Sequence, residues 1–249
     1  MSAYENLAFS YDALTYDIPY GKILEFWEAL LRRYHVQPKT VLDLACGTGS
    51  LSVLLAEKGY QVIGADISPD MLTVAAEKTM DMEENRPLFI CQPMQRLRLY
   101  QPVDAVICAL DSVNYVTKPA DLQKAFKRVY DALTPGGLFL FDINTPCKLR
   151  GLDGQVFLDE TEDSYCVWRA VFDERRNVCR YGIDLFQLTG ESWERSFEEH
   201  IEYAYAPEEL TVWLREAGFE TVAQYGDRKL RRPNADEQRI YFAAKKGLK

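Results

Sequence analysis

The chain has 249 residues, of which 47% are hydrophobic and 27% charged, and it carries a formal net charge of −9 with a pI near 4.9. That apolar content excludes a disordered chain, and the acidity disfavours nucleic-acid binding, which needs concentrated Lys and Arg to displace counterions. No segment approaches the roughly 18 continuous apolar residues of a membrane span, and Met1 to Asn6 has neither the basic nor the apolar region of a secretory leader, so a cytoplasmic protein is expected.

In chain order, the first element expected is an amphipathic helix in which Ile23, Trp27, Leu30, Leu31 and Tyr34 recur at helical spacing, closed by Pro38. From Thr40 the pattern alternates between strand and helix. Residues 40–45 and 61–66 read as short apolar strands, separated by a helix over 50–58 that ends at Gly59. Ser68-Pro69-Asp70 is a helix start, with the cap at Ser68 and proline at the first helical position. Further strands are expected at 88–91, 103–109 and 138–143, with a helix marked by Leu122, Ala125, Phe126, Val129 and Leu133 before the last of them.

Strands alternating with helices imply a doubly wound, mostly parallel α/β sheet, because parallel neighbours need a crossover between them. Beyond Asn144 the rhythm changes to long alternating runs at 165–174, 178–188 and 193–205, an antiparallel meander. A helix over 207–217 and strands at 219–225 and 239–244 then close the main sheet. The expected organisation is a core of residues 1–150 and 207–249 with an N-terminal helical cover, and an inserted antiparallel β subdomain at 151–206. That insert leaves the same sheet edge as the ligand crevice and is read as a lid; Trp168, Phe172, Tyr181, Trp193 and Phe197 are candidates to wall an acceptor, with core packing or a homodimer contact as rival readings. The six cysteines are scattered without a Cys-x-x-Cys pair, so reduced thiols and no metal site are expected.

In open parallel sheets ligands bind beyond the carboxyl ends of the strands. The first such turn is Ala45-Cys46-Gly47-Thr48-Gly49, whose glycines allow close approach of a ligand to the backbone. A dinucleotide fingerprint wants a third glycine where Ser52 stands. Asp66, ending the second strand, is placed to accept hydrogen bonds from ribose hydroxyls, which suits an adenosyl ligand or NAD. His200 is a candidate general base because imidazole titrates near neutral pH, with a structural role as the alternative.

Val41-Leu-Asp-Leu-Ala-Cys-Gly-Thr-Gly49, Val62-Ile-Gly-Ala-Asp-Ile-Ser68 and Leu133-Thr-Pro-Gly-Gly-Leu-Phe-Leu-Phe141 together resemble the motifs of class I S-adenosylmethionine (SAM)-dependent methyltransferases. Phe9-Ser-Tyr11-Asp12 resembles the aromatic-acid element that the small-molecule branch, of glycine/sarcosine N-methyltransferase type, folds over its cofactor. The resemblance covers about residues 40–145. It implies a seven-stranded Rossmann-like fold, SAM as cofactor, and transfer of its methyl to a small-molecule N or O acceptor. By the same resemblance Ala45 and Gly47 contact the methionine part, Asp43 fixes the loop or approaches the ammonium, Asp66 holds the ribose and Ile67 lies against adenine. Met94 and Gln95 take adenine recognition, since Pro93 stands where relatives carry an acidic residue. Leu110 and Asp111 face the transferred methyl, with Asp111 a candidate to assist the substrate or a helix cap, and Tyr11 touches SAM or packs as core. An NAD-dependent oxidoreductase and a non-catalytic SAM-binding module are the alternatives.

Overall fold

The computed structural model describes residues 7–226 and 228–248; the reading of Met1 to Asn6 lies outside the described residues. Helices α1 (Ala8–Leu14) and α2 (Tyr20–Arg33) precede the first strand. The alternating segment follows as β1 (Thr40–Leu44), α3 (Ser50–Glu57), β2 (Gln61–Asp66), α4 (Pro69–Lys78), β3 (Leu88–Cys91), β4 (Val103–Cys108), α5 (Pro119–Ala132) and β5 (Leu133–Asn144). The Ser68 hydroxyl accepts a hydrogen bond from Met71 N at 3.3 Å, so the cap expected for α4 is formed. After the insert, α7 (Pro207–Ala217), β10 (Thr221–Gly226) and β11 (Arg239–Lys245) return to the main sheet.

That sheet has seven strands in the order β10-β11-β5-β4-β1-β2-β3, parallel apart from β11, which runs antiparallel to both neighbours. Its inner strands β1, β4, β5 and β11 are buried on both faces, and the two-residue period divides each between two cores. Leu42, Val106, Cys108, Phe139 and Phe141 pack with α5 and α7 on one side. Val41, Ala105, Ile107, Leu138 and Leu140 pack with α2 and α3 on the other. Trp27 and Leu30 of α2 are fully buried there, and the Trp27 ring meets Tyr241 edge-on at 5.3 Å. The chain order reverses between β1 and β4, which opens a crevice beyond their carboxyl ends.

The insert forms a second, antiparallel sheet in the order β6-β7-β8-β9. Its strands are β6 (Val156–Glu160), β7 (Ser164–Asp173), β8 (Val178–Thr189) and β9 (Ser192–Tyr203), preceded by the short helix α6 (Pro146–Gly151). The meander strands lie where alternation put them. Sequence reading missed β6 because all five of its residues are exposed at a sheet edge, so it carries no in-out pattern. It also missed α6, which runs for six residues and is capped by Thr145. The inner face of this sheet packs around Cys166, Ala170, Cys179, Ile183 and Leu185, closed by Leu7 and Leu14 from the N-terminal segment. Among the described residues no helix is long and apolar enough to cross a membrane.

Gly64 in β2 marks the tightest approach next to the crevice. A Cβ there would lie 2.5 Å from Phe89 Cδ1 and 3.0 Å from Cys46 Sγ. Gly64→Ala is expected to cost about 1–3 kcal/mol by overpacking, seen as a fall of roughly 3–10 °C in Tm for a chain of this size. Gly151→Ala, whose added methyl meets nothing within 4 Å, is the neutral control. Equal melting of the two variants in calorimetry would contradict this account.

Candidate active site

The turn after β1 is bent by left-handed backbone at three residues: Ala45 (φ 60°), Gly47 (φ 53°) and Gly49 (φ 75°). Ala45, which bears a Cβ, is held there by its N–H donating to Ala65 O at 2.6 Å, a bond that continues the β1–β2 ladder past the strand. Asp66 then fixes the rest of the loop. Its two carboxylate oxygens accept from Gly47 N at 2.9 Å and from Ser68 N at 2.8 Å, so one side chain ties the first turn to the start of α4.

A second bent turn follows β4, where Leu110 (φ 58°) and Asp111 (φ 52°) are consecutive left-handed residues without a glycine. Such backbone is costly for residues with a Cβ and persists only where its surroundings impose it. Here Asp142, near the end of β5, accepts from Leu110 N at 2.9 Å and Asp111 N at 3.0 Å. Arg239, the first residue of β11, pairs with Asp142 through Nη1 and with Asp111 Oδ1 through Nη2 at 2.6 Å.

Between the two turns lies a cavity of about 470 Å³. Asp43, Ala45, Gly47, Asp66 and Ile67 line one end, Met94 and Gln95 the next wall, and Tyr11 and Leu110 the remainder. Every residue assigned to the cofactor by sequence resemblance is therefore brought to one space. Ser112, which follows Leu110 and Asp111 in the turn expected to face the methyl, lines it as well, and so do Tyr20, Leu51, Met71 and Tyr115, which were not anticipated. Ile67 is 63% exposed, which leaves its side chain available as a flat apolar wall.

Two buried carboxyls dominate the electrostatics. Burial pushes the Asp43 carboxyl up to about 7, against the pull of a hydrogen bond from Ser52 Oγ at 2.6 Å and with the charge of Asp66 adding to the rise. Asp66 is raised by burial, opposed by the Ser68 and Gly47 amides. The other charged side chains lining the cavity are Lys118 and Asp121, so its lining favours a cation over an anion. The position of Ser52 also acquires a role: its hydroxyl is the donor that satisfies Asp43.

The N-terminal helix reaches this loop through Asp12, which the sequence reading left without a role of its own. Its carboxylate accepts from Thr48 Oγ1 at 2.7 Å and Ser50 Oγ at 3.3 Å, and pairs with Lys78 at 2.5 Å. An ion pair of the protein itself thus occupies the hydroxyls at the start of α3, where a dinucleotide enzyme receives a pyrophosphate. The donor set fits a ligand with hydroxyls and positive charge, as SAM has, and does not fit a diphosphate.

The two residues named for catalysis lie elsewhere. Asp111 does not line the cavity; its carboxylate is engaged by Arg239. His200, on β9, is fully buried, 3.4 Å from the hydroxyl of Tyr115 through Nδ1 and 3.0 Å from Glu198 through Nε2. The aromatic wall expected from the insert is a correction: none of Trp168, Phe172, Tyr181, Trp193 and Phe197 lines the cavity. Trp168 faces inward but meets His200 edge-on at 6.0 Å, one layer behind Tyr115, and Phe172 and Tyr181 pack in the insert's own core. Trp193 and Phe197 are 51% and 47% exposed; Phe197 pairs across the sheet with Asp184, on the face turned away from that core. A two-residue period assigns residues to a face but not to the pocket beneath it. Asp142 and Arg239 carried a usable signal, a charge set inside an otherwise apolar strand or at its start.

Comparison with known proteins accords with this geometry. Residues 41–137 match the family model of a methyltransferase domain. The chain is 32% identical to "Putative methyltransferase YqeM" of Bacillus subtilis (strain 168), over 98% of this chain and 97% of that protein. It superposes on the crystal structure of a SAM-dependent methyltransferase from Clostridium acetobutylicum ATCC 824 with a TM-score of 0.86 and 30% identity, covering 99% of this chain and 100% of that one. Over 47% of its length it is 32% identical to a glycine/sarcosine N-methyltransferase of Parasynechococcus marenigrum (strain WH8102), a match covering 42% of that protein. The chain belongs to the class I SAM-dependent methyltransferases, an enzyme whose methyl donor is S-adenosylmethionine.

Proposed function

We propose that this enzyme methylates a nitrogen or oxygen of a small molecule, with Asp66 holding the ribose of SAM, Asp43 facing its positively charged methionine end, and Ile67, Met94 and Gln95 around adenine. The observation that carries the assignment of roles is the cavity that Asp43 and Asp66 line together beside two bent turns. When bound, SAM supplies a methyl carbon on a sulfonium, open to in-line attack. The protein's part is to align and desolvate the acceptor and to remove its proton. Leu110 and Ser112 border the end of the cavity nearest β4 and are proposed to flank the transferred methyl, while Asp111, bound to Arg239, shapes that turn. The insert, from residue 151 to 206, is proposed as the lid over this end. The partial match to a glycine/sarcosine N-methyltransferase supports a small amine as acceptor.

Asp66→Ala is expected to weaken S-adenosylhomocysteine binding about 10- to 100-fold, the range for losing hydrogen bonds to a charged group. Asp66→Asn, which keeps an acceptor oxygen for the loop amides, serves as the folded reference. Unchanged affinity by calorimetry in both variants would remove the ribose role. The acceptor itself is sought by incubating the enzyme with SAM and a cell metabolite extract and looking for a mass gain of about 14 Da, one methyl replacing one hydrogen; a gain confined to macromolecules would refute the small-molecule reading.

Asp43 gives a pH prediction. Its folded value of about 7 lies above the ordinary 3.8, so between those limits the cofactor-free fold retains a proton that the unfolded chain releases. Stability from this group is present below about pH 4 and is lost as pH rises through 7. A cationic ligand favours the carboxylate, so SAM binding near pH 6 is expected to release a proton, and affinity is expected to rise toward pH 7. Calorimetry in buffers of differing ionisation enthalpy measures the release, which should shrink in Asp43→Asn; equal release in both proteins would count against Asp43 as the responsible group.

A further inference from the structure

Tyr115 lines the cavity, and its hydroxyl is also within reach of a side chain of the insert. It closes the one-turn 3-10 segment Ser112–Tyr115 that follows the bent β4 turn, and it is half-buried at the cavity lining. Its ring meets the imidazole of His200 edge-on, with centroids 5.8 Å apart, and its hydroxyl is 3.4 Å from His200 Nδ1. On the far side of that imidazole, Nε2 is 3.0 Å from Glu198 Oε2. Glu198 and His200 are two residues apart on β9 and so project from one face of the strand. Glu198 is fixed in turn by accepting Leu7 N on Oε1 at 3.1 Å. Buried Glu198 and His200, together with half-buried Tyr115, form a line of polar groups ending at the cavity.

The direction of the line follows from what each atom can do. A carboxylate only accepts, so Glu198 assigns the imidazole proton to Nε2 and leaves the lone pair on Nδ1. Nδ1 then accepts, and the phenol is its donor. An imidazole buried against a carboxylate is also the arrangement that stabilises an imidazolium once a proton arrives.

We infer that Tyr115 is the catalytic residue that takes the proton from the methyl acceptor, with His200 and Glu198 as positioning residues behind it. This rests on the proposed small-molecule N or O acceptor and names a requirement on it: the acceptor enters the cavity as a protonated amine or a hydroxyl. Its proton passes to the Tyr115 oxygen while the Tyr115 proton passes to His200 Nδ1. The lone pair so freed forms the bond to the methyl carbon, and the electrons of the breaking carbon–sulfur bond remain on sulfur. The products are the methylated acceptor, S-adenosylhomocysteine and an imidazolium paired with Glu198, which returns its proton through Tyr115 to solvent. Tyr181, directly across from His200 on β8, and Glu202, two residues along β9, are further titratable groups on the face of the sheet that bears the imidazole.

The test uses two readouts. The chain has two histidines, so histidine labelled with nitrogen-15 gives a spectrum in which His200 is assigned by its absence from His200→Gln. In wild type His200 is expected as the Nε2–H tautomer at pH 8, and Tyr115→Phe is expected to move its Nδ1 resonance. An Nδ1–H tautomer, or an Nδ1 resonance unmoved by Tyr115→Phe, overturns the relay whether or not an acceptor has been found. For turnover, S-adenosylhomocysteine release from SAM and the metabolite extract is followed between pH 6 and 9. Tyr115→Phe is expected to lower it about 100-fold or more, the usual weight of a general base, with S-adenosylhomocysteine affinity kept within threefold. His200→Gln, which removes the acceptor of the Tyr115 proton, is expected to lower turnover about 100-fold as well. Turnover by Tyr115→Phe within threefold of wild type would assign the three residues to packing. If wild type releases none, the small-molecule reading fails, and the tautomer still decides the relay.

Discussion

Asp66 at the end of β2 accepts the amides of Gly47 and Ser68, and Asp142 near the end of β5 accepts the amides of Leu110 and Asp111. The two carboxylates flank the point at which the strand order reverses, each one strand outward from the turn it holds. Without them the amides of Gly47, Ser68, Leu110 and Asp111 would lose these acceptors in a poorly solvated crevice, and the left-handed backbone at Leu110 and Asp111 would lose the contacts that impose it. The shape of the cavity is therefore set by hydrogen bonds from neighbouring strands, and the sheet register is what brings those strands into reach.

The two carboxylates differ in how their burial is compensated. Asp142 and Asp111 share Arg239, so three charges are taken from water together, and removal of the guanidinium would strand two carboxylates at once. Asp66 has backbone amides, and Asp43 has the Ser52 hydroxyl. Among the described residues no ion pair joins either of them to a cation, so that side of the cavity favours a positively charged ligand, which accords with the sulfonium and ammonium of SAM. Asp12 bears on the same loop from outside: it and its partner Lys78 engage the Thr48 and Ser50 hydroxyls at the start of α3.

The end of the cavity around Asp43 and Asp66 was legible in the sequence because its parts are local. Residues 41–49 and 62–68 contain the turn, its glycines and the carboxylate that holds it, within one crossover. Asp142 and Arg239 act on Asp111 across 31 and 128 positions of chain, and nothing in a linear pattern pairs them. His200 was picked for its titration range, but its place depends on Tyr115, 85 positions earlier, which showed no periodic signal inside a 3-10 turn. The insert's aromatics failed as a cavity wall for a different reason. Alternation correctly gives strands, yet both faces of this sheet carry aromatics, and which face meets the core is decided by the way the insert docks.

That docking runs through Asn114, next to Tyr115. Its fully buried amide donates to Asn144 O and to Tyr203 O, each at 3.0 Å, and accepts from Asn144 N at 3.1 Å. One side chain thus binds the β4 turn, the end of β5 and the end of β9. Asn144 carries the connection into the insert by donating to Glu202 Oε2 at 2.9 Å. The carboxyl of Glu202 is pushed up to about 8 by burial and then by the charge of Asp111. A shift of the turn after β4 cannot therefore be confined to the cavity. It moves Tyr115 and Asn114 together, and with them the strand that bears Glu198, His200 and Glu202. The insert and the cavity share this segment, so the docking of the insert depends on the same backbone that Asp142 and Arg239 hold in place.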